Sequence, residues 1–280
     1  MAANWREWSE EEVRILEEHY GRMKLASVAA MLPGRSLAAI GAQARDRRLR
    51  ADRSITNRRS NYNSRFFSEP NPVNSYWAGF LAADGNIRGK TSQLTFYQAD
   101  PEAVKGFQLA IEHDGRVRCR VRPRTTEYSL SLTSAEMVSD LLRNFSITPN
   151  KSLTLKPPPS LNQECSLAFV GGLIDGDGSV HQRKNHQTRS GNPFLDISLT
   201  GTMEILTWAN AILGNRMRVY HRSDCSGNTY RGFARFRKAR EIFCLIFPVL
   251  ERNGLGLPRK WAAHKSFVEG LGVLSLSSSA

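Results

Sequence analysis

Ala168-Phe169-Val170-Gly171-Gly172-Leu173-Ile174-Asp175-Gly176-Asp177-Gly178-Ser179-Val180 is the stretch whose reading decides the fold. Five of its thirteen residues are Ala or Gly. That composition suits a solvent-facing helix poorly, since each Gly there costs up to about 1 kcal/mol. It suits a helix that another backbone must approach closely. An earlier stretch supplies the partner: Tyr76-Trp77-Ala78-Gly79-Phe80-Leu81-Ala82-Ala83-Asp84-Gly85-Asn86. Both copies read small-Gly-apolar-apolar-X-small-Asp-Gly. Two such helices side by side deliver Asp84 and Asp177 together at one end.

This pair resembles the LAGLIDADG homing endonucleases. In that family the second Asp of the motif binds the catalytic metal, a role that falls by resemblance on Asp84 and Asp177. The resemblance adds the backbone carbonyls of Ala83 and Gly176 as further ligands. The sixth motif position is Asp175 in one copy and Ala82 in the other, a departure expected to touch helix packing more than chemistry. The family also carries a lysine near each active site in a Pro-X-Lys segment. Pro149-Asn150-Lys151 and Pro258-Arg259-Lys260 match it, so Lys151 and Lys260 take the catalytic lysine positions. Asp100 and Thr202 fall where the family often keeps polar, water-organising residues.

Outward from the motifs the chain repeats itself, the two aspartates standing 93 residues apart. The first copy continues with Gln93–Tyr97 as a strand, then a helix with Val104, Phe107 and Ile111 on one face. Arg116-Val117-Arg118-Cys119-Arg120-Val121-Arg122 follows, where alternation predicts four arginines on one sheet face and the apolar three on the other. Tyr128–Thr133 is its neighbour, and a helix with Met137, Leu141 and Leu142 closes the unit. The second copy runs likewise: a strand at Asp196–Thr200, a helix over 204–213, and a second arginine comb with Arg216, Arg218 and Arg222. A turn at Gly227-Asn228 leads into a strand over 229–237, placing Arg231, Phe233, Arg235 and Arg237 on one face. A closing helix spans 241–250, with Pro248 expected to bend or end it.

Each half therefore reads αββαββα, helices covering one sheet face and unmatched arginines lining the other. Repulsion among those arginines calls for an external sink, and double-stranded DNA, with its phosphates and guanine edges, supplies one. Gln93, Thr95, Tyr97, Asp196 and Ser198 share these faces by parity as candidate base readers. The expected class is α+β: tandem half-domains at 74–160 and 161–270 forming a DNA-binding saddle.

Residues 1–50 read as three short helices. Ser9 and Glu12 form a capping-box pattern. Trp8, Val13, Leu16 and Tyr20 follow at helical spacing. A second stripe ends at Pro33-Gly34, and Ser36 caps a third helix with Leu37, Ile40 and Ala44 inward and Arg45, Arg47, Arg48 and Arg50 outward or late. The pattern from Trp8 to Leu49 resembles the Myb/SANT-like helix-turn-helix family, whose third helix enters the major groove; Arg45 and Arg48 are the DNA candidates there. A plain three-helix protein-interaction module is the competing reading. Residues 51–73, rich in Arg, Asn and Ser, are expected to form a basic linker lying along DNA, and 271–280 a flexible tail.

The formal charge of +13 points to a polyanionic partner, a phosphate backbone with an anionic membrane surface as the rival, and no apolar run is long enough for a transmembrane helix. The opening residues do not read as a signal peptide. Four isolated cysteines read as reduced, mostly buried thiols in a cytoplasmic setting, bacterial, phage or organellar. Asp175–Ser179 imitates the start of a calcium loop, but Val180 stands where Gly is needed and His186 where Glu is. Two carboxylates within a few ångströms need a cation between them, and Mg²⁺ or another divalent ion fits oxygen ligands. With the resemblance, this implies a metal-dependent endonuclease making a staggered double-strand cut at a long, non-palindromic site, working as a monomer because the two halves are fused. A non-cleaving DNA-binding regulator and an RNA-splicing maturase are the alternatives.

Overall fold

A computed structural model describes residues 7–50, 60–151, 154–187, 193–221 and 229–265. Arg222, the Gly227-Asn228 turn, Arg53, Arg58, Arg59 and the 271–280 tail lie outside them. The chain divides into two compact units, Met1–Asn61 and Tyr62–Ala280.

The first unit holds α1 (Glu10–His19), α2 (Leu25–Met31) and α3 (Leu37–Asp46). Ser9 caps α1 in a reciprocal box: its hydroxyl accepts from the Glu12 amide at 3.2 Å, and Glu12 Oε2 accepts from the Ser9 amide at 2.9 Å. The same carboxylate accepts from Arg35 Nη2 at 2.7 Å, and Arg35 lies over the Trp8 ring at 4.4 Å. This knot ties the turn before α3 to the start of α1. Leu16, Val28, Leu32, Ile40 and Ala44 form the core. Leu37, expected inward, is 51 % exposed, because α3 enters the core from its second turn. Arg45, Arg47, Arg48 and Arg50 are exposed.

In the second unit, α4 (Pro72–Asp84), β1 (Gly85–Arg88), β2 (Gln93–Gln98), α5 (Pro101–Ala110), β3 (Arg118–Arg122), β4 (Thr125–Thr133) and α6 (Ala135–Phe145) make the first half. The second half repeats them as α7 (Gln163–Asp177), β5 (Gly178–Gln187), β6 (Pro193–Gly201), α8 (Met203–Ile212), β7 (Arg218–His221), β8 (Tyr230–Arg235) and α9 (Phe236–Arg252). Each half carries an antiparallel four-stranded sheet, ordered β1-β2-β4-β3 and β5-β6-β8-β7. The expected α+β class and αββαββα order are what the chain adopts.

The two motif helices pack at the centre of one continuous apolar core. Their glycines explain the closeness. A Cβ on Gly79 would stand 2.0 Å from the Phe169 carbonyl oxygen, and one on Gly172 would stand 2.0 Å from that of Tyr76. Tyr76 and Phe169 occupy the same motif position, so the contact is two-fold in character.

Several expectations need correction. Residues 62–73 are not linker: Tyr62 and Phe67 are buried in the second unit's core, and the Asn144 side chain holds the Phe67 and Ser68 carbonyls at 2.8 and 2.9 Å. Two aromatic anchors outweigh the polar composition around them. The first arginine comb has an apolar reverse only at Val117, which packs on the core: Cys119 is exposed and Val121 is 77 % exposed, because β3 is an edge strand that α5, packed on β2 and β4, does not cover. Cys244 is exposed as well, leaving Cys165 buried, so the described thiols are not mostly buried. Arg237 is not on β8. Phe236 takes a left-handed φ of 54°, which ends the strand and starts α9 one residue earlier. Pro248 lies inside α9 without ending it.

Candidate active site and nucleic-acid face

The geometry of the site begins with helix termination. Gly85 and Gly178 end α4 and α7 in extended conformation, and β1 and β5 start at once. Asp84 and Asp177 are therefore the last residues of two crossing helices. A Cβ on Gly176 would stand 3.0 Å from Asp84 Oδ2 and 2.1 Å from Ala83 Cβ, so the first half's carboxylate rests against the second half's helix.

Burial and the Asp177 charge raise the Asp84 pKa to about 6, against the Gln98 amide and the two lysines, which lower it. Gln98 Nε2 donates to Asp84 Oδ2 at 2.5 Å. Burial also raises Asp177, with Lys151 and Lys260 opposing. Lys151 and Lys260 are buried, and burial lowers both, Lys260 to about 8. Lys151 Nζ donates to the carbonyls of Gly85 at 2.6 Å and Ala83 at 3.3 Å. Lys260 Nζ donates to those of Ile174, Asp175 and Gly178 at 2.7, 2.8 and 2.8 Å. Each lysine thus closes the carbonyl end of its own half's motif helix, where the helix dipole is negative. All four predicted chemical side chains meet at this seam. Among the described residues no group of three or more His, Cys, Asp or Glu side chains is placed to hold a metal, leaving two carboxylates and nearby carbonyls as the oxygen donors.

Asp175 carries more than helix packing. It is 1 % exposed. Its carboxylate accepts from Tyr76 Oη at 2.8 Å, the Leu257 amide at 2.9 Å and Trp261 Nε1 at 2.9 Å. It fastens the segment that bears Lys260; Ala82, its counterpart, does no such thing for Lys151. Gln98 and this clamp are the site residues that sequence reading missed. Trp261, directly after Lys260, was the visible signal for a buried anchor. Asp100 and Thr202 prove to be helix caps: Asp100 accepts from the Glu102 amide, and the Thr202 hydroxyl accepts from the Ile205 amide at 3.3 Å while donating to the Leu155 carbonyl at 2.7 Å.

From the seam an open cleft of about 540 Å³ runs past Gln98, Ser179, Lys260, Arg231 and Phe233, and a second of about 760 Å³ continues along Arg218, Tyr220 and Arg235. The alternate residues Gly232 and Ala234 are buried, so Arg231, Phe233 and Arg235 face away from the helices. Arg116, Arg118, Arg120 and Arg122 are exposed, Arg116 lying just ahead of β3. Not all the arginines lack acids: Arg122 pairs with Glu127 at 3.6 Å and Arg235 with Asp196 at 3.8 Å. Glu241 takes Arg216 at 2.7 Å and Arg237 at 3.3 Å. Arg216 also donates to the Leu213 carbonyl and is an internal strut. Of the candidate base readers, Tyr97 is exposed and Gln93 half-buried, while Thr95 and Ser198 are buried and bonded to Ser131 and Ser179 at 3.0 and 2.9 Å.

No family model matches the sequence, and a search of curated proteins finds no match. Among solved structures the chain is similar to full-length DUF199/WhiA from Thermatoga maritima, at 14 % identity over 77 % of this chain and 67 % of that one, with a TM-score of 0.46. It is similar to the I-LtrWI LAGLIDADG homing endonuclease bound to target DNA, at 13 % identity over 70 % and 88 % of the two chains, TM-score 0.45. It is also similar to the I-SmaMI LAGLIDADG homing endonuclease bound to cleaved DNA, at 12 % identity over 72 % and 88 %, TM-score 0.43.

Proposed function

We propose that the chain is a divalent-metal-dependent endonuclease that cuts both strands of double-stranded DNA at a long, non-palindromic site. The observation that carries this is the meeting of Asp84 and Asp177 at one end of the crossed helices, with one buried lysine from each half. The fit to a cation is electrostatic: two carboxylates made reluctant to ionise by burial, one further so by the other's charge, gain from a positive ion between them. Mg²⁺ suits an all-oxygen set, with Asp84, Asp177 and the Ala83 and Gly176 carbonyls as its holders. When bound, it supplies an activated water and offsets charge on the reacting phosphate.

The chain's own groups do the remainder. Gln98 orients the Asp84 carboxylate. Lys151 uses two of its three N–H groups on carbonyls, and the third is left for phosphate oxygen. The exposed arginines of β3 and β8 hold the duplex by its phosphates and base edges. Arg45 and Arg48 give the first unit a further DNA contact. One chain supplies both acids, so a monomer suffices.

A non-cleaving DNA binder on the same scaffold is favoured by one observation: Lys260 has all three N–H groups on backbone carbonyls, as a structural cap would. Incubating a randomised duplex library with Mg²⁺ or with EDTA, then sequencing the ends, separates the readings. Cleavage in Mg²⁺, abolished by Asp84→Asn or Asp177→Asn while binding survives, is the expected result. Binding without cutting in any divalent ion supports the second reading; equal loss of binding in both variants makes the aspartates structural.

A further inference from the structure

Matched by strand register, the two halves are unequal. Gly85 faces Phe96 and Gly178 faces Leu199, so the motif match carries into β2 and β6. Tyr97 faces Ser129 and Thr200 faces Arg231; Gln93 faces Thr133 and Asp196 faces Arg235. Ser129, Ser131 and Thr133 thus occupy the places that Arg231, Phe233 and Arg235 hold in the second half. All lie opposite buried neighbours, Leu130 and Leu132 in one half and Gly232 and Ala234 in the other, and so on the helix-free face.

The two floors differ in order as well as in charge. Arg231 donates to Ser198 Oγ at 3.1 Å, which is itself bonded to Ser179, and its guanidinium lies 5.6 Å from the Phe233 ring centre. Arg235 lies 4.6 Å from the same ring. Phe233 is therefore flanked by two guanidiniums that the protein orients before any ligand arrives. In the first half the hydroxyls of Thr95 and Ser131 satisfy each other. Charge sits instead at the rim, where Arg118 and Arg120 on the edge strand are exposed and make no ion pair among the described residues.

We propose, resting on the DNA-binding reading above, that the halves read DNA unequally. The second half specifies guanines through Arg231 and Arg235, with Phe233 as their positioning residue. The first half holds phosphates through Arg118 and Arg120 and tolerates many sequences. The chemistry follows from geometry: a fixed guanidinium fork matches guanine O6 and N7, a hydroxyl accepts any base pair, and an exposed rim arginine finds phosphate.

Selection of the full chain on a randomised duplex pool in EDTA tests this. The expected consensus carries guanines on one side and little information on the other. Arg231→Gln should weaken that site roughly ten- to a hundredfold and bind about as well as wild type when the contacted guanine is replaced. Arg118→Gln should weaken all sequences alike and lower the log–log salt slope by about 0.9. Equal information on both sides, or a base preference altered by Arg118→Gln but not by Arg231→Gln, overturns the proposal. Sequence-independent retention of duplex overturns it while leaving DNA binding intact; no retention of any duplex overturns both.

Discussion

Asp84 shows how far the fold shifts a single carboxylate. Its ordinary pKa of 3.8 rises to about 6 in the fold, chiefly through burial and then through Asp177. The folded chain keeps a proton there that the unfolded chain loses, so this group's contribution to stability falls as pH rises from about 4 to 6 and stays unfavourable above. A shift of this size corresponds to about 3 kcal/mol, and solvent around the half-buried carboxylate reduces it to roughly 1–2 kcal/mol. Asp84→Asn keeps an oxygen for Gln98 and removes the charge. It should raise metal-free stability by roughly that amount at pH 7.5 and leave it unchanged at pH 4, as urea melts in EDTA would read; an equal gain at both pH values would refute the electrostatic cause. Adding Mg²⁺ should raise the wild-type midpoint and leave the variant's in place. The acids and lysines were legible because each occurs twice, in matching sequence surroundings. Asp175 was not, because its partners, Tyr76, Leu257 and Trp261, lie 82 to 99 residues away and the set is not duplicated around its counterpart Ala82.

At the scale of elements, the crossed helices depend on where glycine is placed. Gly79→Ala or Gly172→Ala drives a methyl into a carbonyl oxygen of the facing backbone, which cannot rotate aside as a side chain could. Either should cost at least about 3 kcal/mol, the upper end of overpacking, and abolish the proposed cleavage by spreading the acids. Gly41→Ala, with nothing within 4 Å, should be neutral or slightly stabilising. Gly176 allows a sharper test. Its missing methyl is the one Ala83 carries, so Gly176→Ala should destabilise and adding Ala83→Gly should restore most of the loss, as chemical denaturation would record. Failure of that rescue would mean that the interface does not treat the two helices as equivalents. Elements with strong period or caps were readable in advance. The edge strand β3 was misread because alternation reports which residues share a face and not whether anything covers it. The end of β8 was misread because the arginine spacing runs unbroken across the left-handed turn at Phe236.

At the scale of the whole molecule, two separate cores predict two unfolding events. The first unit closes on Leu16, Val28, Leu32, Ile40 and Ala44, helped by the Trp8–Arg35–Glu12 knot. A core that small in a segment of that length is marginal. The second unit buries one continuous cluster from Tyr62 to Trp261 that includes both motif helices. The boundary between them was placed twelve residues too late by composition, since Tyr62 and Phe67 are sparse signals amid arginine and asparagine, and burial depends on what a residue reaches. Calorimetry should therefore resolve a small transition at low temperature and a larger one above it. Removing residues 1–50 should delete the first, leave the second within a few degrees, keep the pH-dependent effect of Asp84→Asn, and weaken the proposed DNA binding without ending the proposed cleavage. Arg35→Ala, which unties the knot, should lower only the first transition. A single cooperative transition that both changes shift together would show that the two cores are energetically one.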